Sequence, residues 1–233
     1  MAPVTGANVA RAMPLPAASY YEHTRPEVAR LVPAGAREVL DIGCASGAFG
    51  AALKAERPWV RVRGIEPVAE QAERARARLD DVSVGGADAG PPAGWPRPDC
   101  VVFADVLEHV VDPWTTLRRY RDFLLPGGVL VLSLPNVAHG SVLRGLLRQR
   151  WDYADDGILD RTHLRFFTRE TAIELIEGSG FVVTGVSRVL DDEIKGRAVG
   201  RAIGVERGPH RLFRGALAVA ADAVTRQFLI TAE

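Results

Sequence analysis

An apolar run, Val39-Leu40-Asp41-Ile42, enters a turn, Gly43-Cys44-Ala45-Ser46-Gly47, and leaves it as Ala48-Phe49-Gly50, which begins a helical pattern. No other part of the 233-residue chain constrains the fold as strongly. A strand, a glycine-bearing turn and a helix N-terminus in that order form half of a βαβ unit and bring bare backbone up to a small molecule. Asp41 ends this strand, and a second acid, Glu66, ends the next one 25 residues later. Two carboxylates at adjacent strand ends suit ribose hydroxyls and a cationic ligand.

The pattern repeats along the chain. Short apolar or β-branched runs at 38–42, 60–65, 82–85, 100–104 and 129–134 alternate with helical segments, which predicts an α/β fold with a doubly wound, Rossmann-like parallel sheet. Val68, Ala72, Ala75 and Leu79 form one apolar stripe on an otherwise charged helix. Asp112-Pro113 reads as an N-cap and first-turn proline, with Trp114, Leu117 and Leu124 directed inward and Pro126-Gly127-Gly128 as the stop. Residues 1–25 read as a leader and 26–233 as the domain, opening with a short helix over 26–31. Residues 136–167 are too long for a plain connection between a strand and a helix and are expected to form a partly helical lid. Thr168 then caps a helix to Ser179, strands are expected at 181–190 and 228–232, and an alanine-rich helix starts near Leu212.

Composition narrows the function classes. The 29 basic residues equal the 29 acidic ones, so no global field draws the chain to nucleic acid or to an anionic membrane. Hydrophobic residues make up 47% and charged residues 25%, as expected of one well-buried domain. Cys44 and Cys100 lack metal-ligand spacing and read as small core residues in a reducing compartment. The first 18 residues lack the pattern of a secretory signal, and 212–224, broken by Arg214 and Asp222, are too short to span a bilayer. A cytoplasmic protein is expected, and a homo-oligomer is compatible with it.

Two cofactor classes compete for the opening turn. A nicotinamide pyrophosphate calls for GxGxxG, whereas the spacing here is GxxxG, a poor cradle for phosphate. S-adenosylmethionine carries no phosphate, and the Asp41–Glu66 pair fits its sulfonium and ribose better. With VLDIGCASG, RGIEP, GGADA, FADVLEHVVDP and LLPGGVLVLSLPN in order, the chain over about residues 20 to 190 resembles the class I S-adenosylmethionine-dependent methyltransferases. The resemblance implies a seven-stranded sheet whose last strand is antiparallel. It implies Asp41, Gly43 and Gly47 around the methionyl part, Glu66 on the ribose, and Asp88 with Ala89 beside the adenine, with Cys44, Ala45 and Pro67 as further cofactor-binding candidates. Ala104 and Asp105 close the site at the fourth strand, and Tyr21, next to Tyr20, is a candidate to fold over the cofactor. Ala45 stands where the family usually has glycine; if the backbone there has positive φ, alanine costs about 1 kcal/mol.

Methyl transfer to a hydroxyl needs proximity, alignment and a proton acceptor. His109 and His163 are the candidate bases. Asp105-x-x-Glu108-His109 also permits a divalent cation held by oxygen and nitrogen, with His163 completing the set, a pattern similar to that of methyltransferases acting on ubiquinone precursors and small-RNA ends. The plainer reading makes Glu108 a helix-entry group and packs His109 against the cofactor. Arg150-Trp151-Asp152-Tyr153 and the run from Gly157 to Thr168 look like those of bacterial methyltransferases of sugar and polysaccharide clusters. Trp151, Tyr153 and Phe166 are then candidates for a flat wall against a sugar, and Arg144, Arg148, Arg161 and Arg165 for neutralising a phosphate. A small-molecule acceptor, a sugar or nucleotide sugar, is the expectation, with S-adenosylhomocysteine as the other product. A phenolic or quinone-like acceptor and a domain that binds the cofactor without turnover stay open.

Overall fold

Strand β1 (Glu38–Ile42) lies inside a seven-stranded sheet in the computed structural model, which describes residues 22–190 and 222–233. It pairs in parallel with β2 (Arg61–Glu66) and β4 (Cys100–Ala104); β3 (Asp81–Val84) joins β2 and β5 (Val129–Pro135) joins β4, also in parallel. The chain then crosses to β6 (Val183–Leu190) and returns as β7 (Thr225–Ala232), which runs antiparallel between β5 and β6. The order is β3-β2-β1-β4-β5-β7-β6, with only β7 reversed. The expected strands are all present, most of them within a residue or two of their expected bounds; β7 starts three residues earlier, at Thr225.

Both faces of the sheet are covered, and for that reason the central strands β4 and β5 read as nearly unbroken apolar runs. Leu40, Ile42, Phe103, Leu130, Leu132 and Phe228 pack with Leu117 and Tyr120 of α4 (Pro113–Phe123) and Ile173 and Ile176 of α6 (Arg169–Gly178). Val39, Val62, Val102 and Val131 pack with Phe49 and Leu53 of α2 (Ala48–Glu56) and Ala72 and Ala75 of α3 (Ala69–Arg76). Pro26–Ala29 forms a short helix, α1. The predicted caps are in place: Asp112 accepts a hydrogen bond from Thr115 N at 3.0 Å, and Thr168 forms a capping box with Thr171. Trp114 departs from its expected inward direction. It is 39% exposed, and the Arg165 guanidinium lies 5.8 Å from its ring centroid, where a charge can rest on an aromatic face.

Residues 136–167 contain one helix, α5 (Gly140–Leu147), and irregular backbone. Their ends meet: Asn136 bridges Phe167, Val137 N donates to Phe167 O at 2.9 Å, and Asn136 Nδ2 donates to Asp222 O and Thr225 O. Leu164 N and Arg165 N both donate to Glu108 O, at 2.7 and 3.0 Å, which pins the end of this segment to the turn after β4. The alanine-rich helix expected from Leu212 lies outside the described residues up to position 221. Among the described residues no helix is long and apolar enough to cross a membrane.

Cys44 and Cys100 are free, buried thiols, and burial pushes both well above the usual thiol range. Cys44 sits against Gly64 of β2, where a Cβ would come 2.4 Å from its sulfur and 2.9 Å from its Cβ. Gly64→Ala is therefore expected to lower stability by about 1–3 kcal/mol in chemical denaturation. Adding Cys44→Ala to that variant should restore part of the loss; an additive second loss would contradict this packing.

Candidate active site

The strand order reverses between β1 and β4, so a crevice opens beyond the carboxyl ends of these strands, the usual ligand position in an open α/β sheet. Asp41 lies near the end of β1, Gly43 to Gly47 follow it, Glu66 ends β2 with Pro67 exposed after it, and Ala104 ends β4. Asp88 and Ala89 lie in the exposed part of a single 3₁₀ turn after β3. Four adjacent strands thus bring the cofactor candidates of 41–105 to one edge. Tyr21 lies outside the described residues.

The turn after β1 spends its amides internally. Gly43 N and Cys44 N donate to Ile65 O, Gly47 N donates to Cys44 O, and Ala45 N donates to Glu66 Oε2 at 2.9 Å. The other carboxylate oxygen of Glu66 accepts from Val68 N at 2.9 Å, so one side chain ties the turns after β1 and β2 together. With these four amides committed, the turn is a poor cradle for a phosphate. Ala45 has φ +50°, the left-handed conformation in which its side chain costs about 1–2 kcal/mol.

Asp41 is buried, and its Oδ2 has no hydrogen-bond partner. Burial first, and then the nearby Glu66 charge, push its carboxyl up to about 8. Glu66 is also raised by burial, against the pull of its two amide donors.

Asp105 follows β4 with φ +57° and is held on three sides. Arg25 Nη2 lies 2.5 Å from its Oδ2, Ser133 Oγ donates to its Oδ1 at 2.6 Å, and Gln227 Nε2 donates to the same oxygen. Beside it is a cavity of about 500 Å³ lined by His23, Thr24, Arg25, Asp105, Glu108, His109, Asp160, His163, Arg226 and Gln227, among others. Residues 23–25, expected to belong to a leader, therefore contribute to the site. Arg226 and Gln227 come from β7, and no spacing in the sequence singles them out; the pairing of Gln227 with Pro135 of β5 brings them there.

Glu108 and His109 sit on a 3₁₀ turn, Leu107–His109, and His163 is brought beside them by the backbone bonds to Glu108 O. The imidazole centroids of His109 and His163 are 4.8 Å apart, with planes at 74°. His163 Nδ1 lies 3.0 Å from Ile158 O, a pure acceptor, so Nδ1 carries the proton and Nε2 the lone pair. The Thr162 hydroxyl donates to Asp160 Oδ1 at 2.7 Å and so can only accept from His109 Nδ1, 3.1 Å away. His109 therefore also keeps its lone pair on Nε2. Burial, and then the neighbouring His109, hold the His163 pKa below the usual imidazole range. Glu108 is 1% exposed, neither carboxylate oxygen has a hydrogen-bond partner, and burial followed by the Asp105 charge raises its pKa well above normal. Asp105 faces Arg25 and β7 rather than joining this trio.

The aromatic candidates pack on one another, Trp151 to Phe166 at 5.1 Å and Tyr153 to both at 6.5 Å, and Phe166 lies 6.1 Å from the His163 ring. None of the three lines the 500 Å³ cavity; they buttress His163. Arg161 pairs with Asp155, Arg165 donates to Val111 O, and Arg144 and Arg148 are exposed on α5 and its C-cap.

Residues 17–186 match the family described as a methyltransferase domain, and the chain belongs to that family of class I S-adenosylmethionine-dependent proteins. It is 36% identical over 118 residues to trans-aconitate 2-methyltransferase of Methylobacterium radiotolerans, a match covering 49% of this chain and 45% of that protein. It is also 27% identical over 190 residues to an uncharacterised 37.1 kDa protein encoded in a transposon of Streptomyces fradiae, covering 74% and 51%. The chain thus spans about half the length of the curated relatives it matches. Its fold is shared with a Thermotoga maritima S-adenosylmethionine-dependent methyltransferase described as a possible histamine N-methyltransferase (TM-score 0.60, 21% identity, 88% and 86% covered). The [4+2]-cyclase SpnF has it too (TM-score 0.58, 20% identity, 89% and 79% covered), so the fold alone does not decide the chemistry.

Two outcomes follow from the turn and its acid. Ala45→Gly relieves the left-handed strain and is expected to raise stability by up to about 1 kcal/mol, read by denaturant titration. Asp41 ionises near the ordinary carboxylate value when unfolded but only at about 8 when folded, so its contribution is full in acid and fades as pH rises through 8. The ligand-free protein is expected to lose stability from about pH 4 towards pH 8, by at most about 1.4 kcal/mol per unit from this group. Asp41→Asn should flatten that slope.

Proposed function

We propose that the protein transfers a methyl group from S-adenosylmethionine to a hydroxyl of a small polar acceptor, a sugar or nucleotide sugar. The observation that carries this reading is the pair of Nε2 lone pairs, on His109 and His163, on residues that line a cavity beside the cofactor crevice. A carboxylate acceptor has no proton to surrender at neutral pH, whereas a hydroxyl does, and the pair suits that need. The cavity lining supports a sugar over a phenol or quinone: beside a few aliphatic residues it holds arginines, carboxylates, a threonine and a glutamine, and among the described residues no Phe, Tyr or Trp. Arg226 offers a counter-charge for a phosphate.

The residues present fit the cofactor. The unpartnered Asp41 Oδ2 and the carbonyls of the 43–47 turn would receive its cationic methionyl part. Each Glu66 oxygen holds one amide and has a lone pair left for a ribose hydroxyl. Asp88 and Ala89 would border the adenine. When bound, S-adenosylmethionine supplies a methyl carbon activated by the sulfonium. The protein's part is to hold the acceptor oxygen in line with it and to draw the hydroxyl proton off at the Glu108–His109–His163 cluster.

S-adenosylhomocysteine release across a panel of sugars, nucleotide sugars and phenols tests the acceptor class, and turnover confined to phenols would replace the sugar reading. His109→Ala and His163→Ala are each expected to cut turnover about 100-fold or more with cofactor affinity little changed. Asp41→Ala should instead lose cofactor binding, measured by calorimetry. If the cofactor bound but no acceptor in the panel turned over, a non-catalytic binding domain would be the better account.

A further inference from the structure

We propose that Arg226, together with the backbone amides of Gly157 and Ile158, binds an anionic oxygen group of the acceptor, a phosphate or a carboxylate, so that the protein selects charged acceptors over neutral ones. The inference rests on the acceptor reading above and deepens it, turning a counter-charge in the lining into a subsite with named donors.

The strand that carries Arg226 sets it apart. Strand β7 pairs Gln227 with Val189 of β6 and Thr225 with Leu190, so Arg226 is the extra residue of a bulge. Consecutive side chains of a regular strand point to opposite faces, yet Arg226 and Gln227 both line the cavity; a bulge re-aims a side chain in this way. The two neighbours then differ. Gln227 donates to Asp105 and Ser133, whereas no described residue bonds to or pairs with the Arg226 guanidinium. Five carboxylates line the same cavity, Glu27, Asp105, Glu108, Asp156 and Asp160, and none of them is paired with Arg226. Asp105 is held by Arg25, Asp160 accepts from the amide and hydroxyl of Thr162, and burial, followed by the Asp105 charge, drives Glu108 toward its neutral form. With acids at hand and none engaged, the guanidinium keeps its donors for an anion that enters with the ligand.

The segment after β5 supplies the facing wall. Gly157 is left-handed there, with φ +84°, and Arg226 Nη2 lies 4.0 Å from the place a Cβ on Gly157 would take. The amides of Gly157 and Ile158 donate to no acceptor among the described residues. Successive free amides at a left-handed residue form a small concavity suited to an anion. A guanidinium and bare amides offer donors, which match an oxyanion better than a neutral hydroxyl with a proton of its own to place. Exposed Asp156, next in the chain, is the opposing charge at this spot. Arg226 acts on binding and not on bond making, so its loss appears in KM rather than kcat.

The test uses the full chain saturated with S-adenosylhomocysteine, and inorganic pyrophosphate as the probe, measured by calorimetry. Saturable, salt-sensitive binding is expected, weakened about tenfold or more in Arg226→Gln, partly kept in Arg226→Lys and tightened in Asp156→Asn. Arg148→Gln removes the same charge outside the cavity and is the unaffected control, and circular dichroism confirms that each variant is folded. Absence of saturable binding, or binding indifferent to Arg226→Gln, overturns the proposal. Turnover of glucose, glucuronate, glucose 1-phosphate and UDP-glucose separates the sources of the anion: preference for the last two assigns a phosphate, preference for glucuronate a carboxylate. In either case Arg226→Gln should raise the KM of the charged acceptor about tenfold with kcat within about twofold. If glucose turns over as well as the charged acceptors and Arg226→Gln changes no KM, this inference falls and the functional reading survives. If pyrophosphate binds through Arg226 and no acceptor turns over, the anion subsite stands and the functional reading falls.

Discussion

A parallel sheet covered on both faces leaves its inner strands little room for charged side chains except near their ends, and much of this molecule follows from that constraint. Strands β1 and β4 are mostly apolar, β2 alternates Arg61 and Arg63 with apolar residues before its buried end, and acids stand at or next to their carboxyl termini, at Asp41, Glu66 and Asp105. Because the three run in parallel and adjacent, these acids meet at one edge. The helices packed on the faces supply the apolar area that offsets the cost of holding charge there.

Acids gathered at a sheet edge need positive partners, and the chain treats each one differently. Glu66 is satisfied by two backbone amides and acts as a clasp between neighbouring turns. Asp105 is held by Arg25, Ser133 and Gln227, with left-handed backbone at the aspartate itself. Asp41 and Glu108 each bury at least one carboxylate oxygen with no partner. In the proposed reading they mark the two halves of the reaction site, Asp41 on the side of the sulfonium cofactor and Glu108 on the side of the acceptor.

The segment of 136–167 brings the second half together. Its ends are tied at Asn136 and Phe167, and its last residues hang from the main-chain carbonyl of Glu108. The same short stretch therefore places His163 against His109 and fixes both tautomers through Ile158 and Thr162. The neighbouring aromatics serve this arrangement from behind, which explains their abundance without giving them contact with the cavity.

The sequence by itself determined the strand-and-helix alternation, the caps at Asp112 and Thr168, and the crevice residues from Asp41 to Asp105. Those features are local: periodicity, turn chemistry and end-of-strand acids are written within a few residues of one another. The trio of Glu108, His109 and His163 was half legible, since the pair at 108–109 is a spacing but the arrival of His163 depends on hydrogen bonds across more than fifty residues. Tertiary structure alone decided that Trp114 lies partly exposed under Arg165, that the aromatics of 151–166 stand behind the site, and that Arg25, Arg226 and Gln227 line it. The reversal of strand β7 between β5 and β6 agrees with the family resemblance, but its register is set by long-range pairing and has no signature in the neighbouring residues.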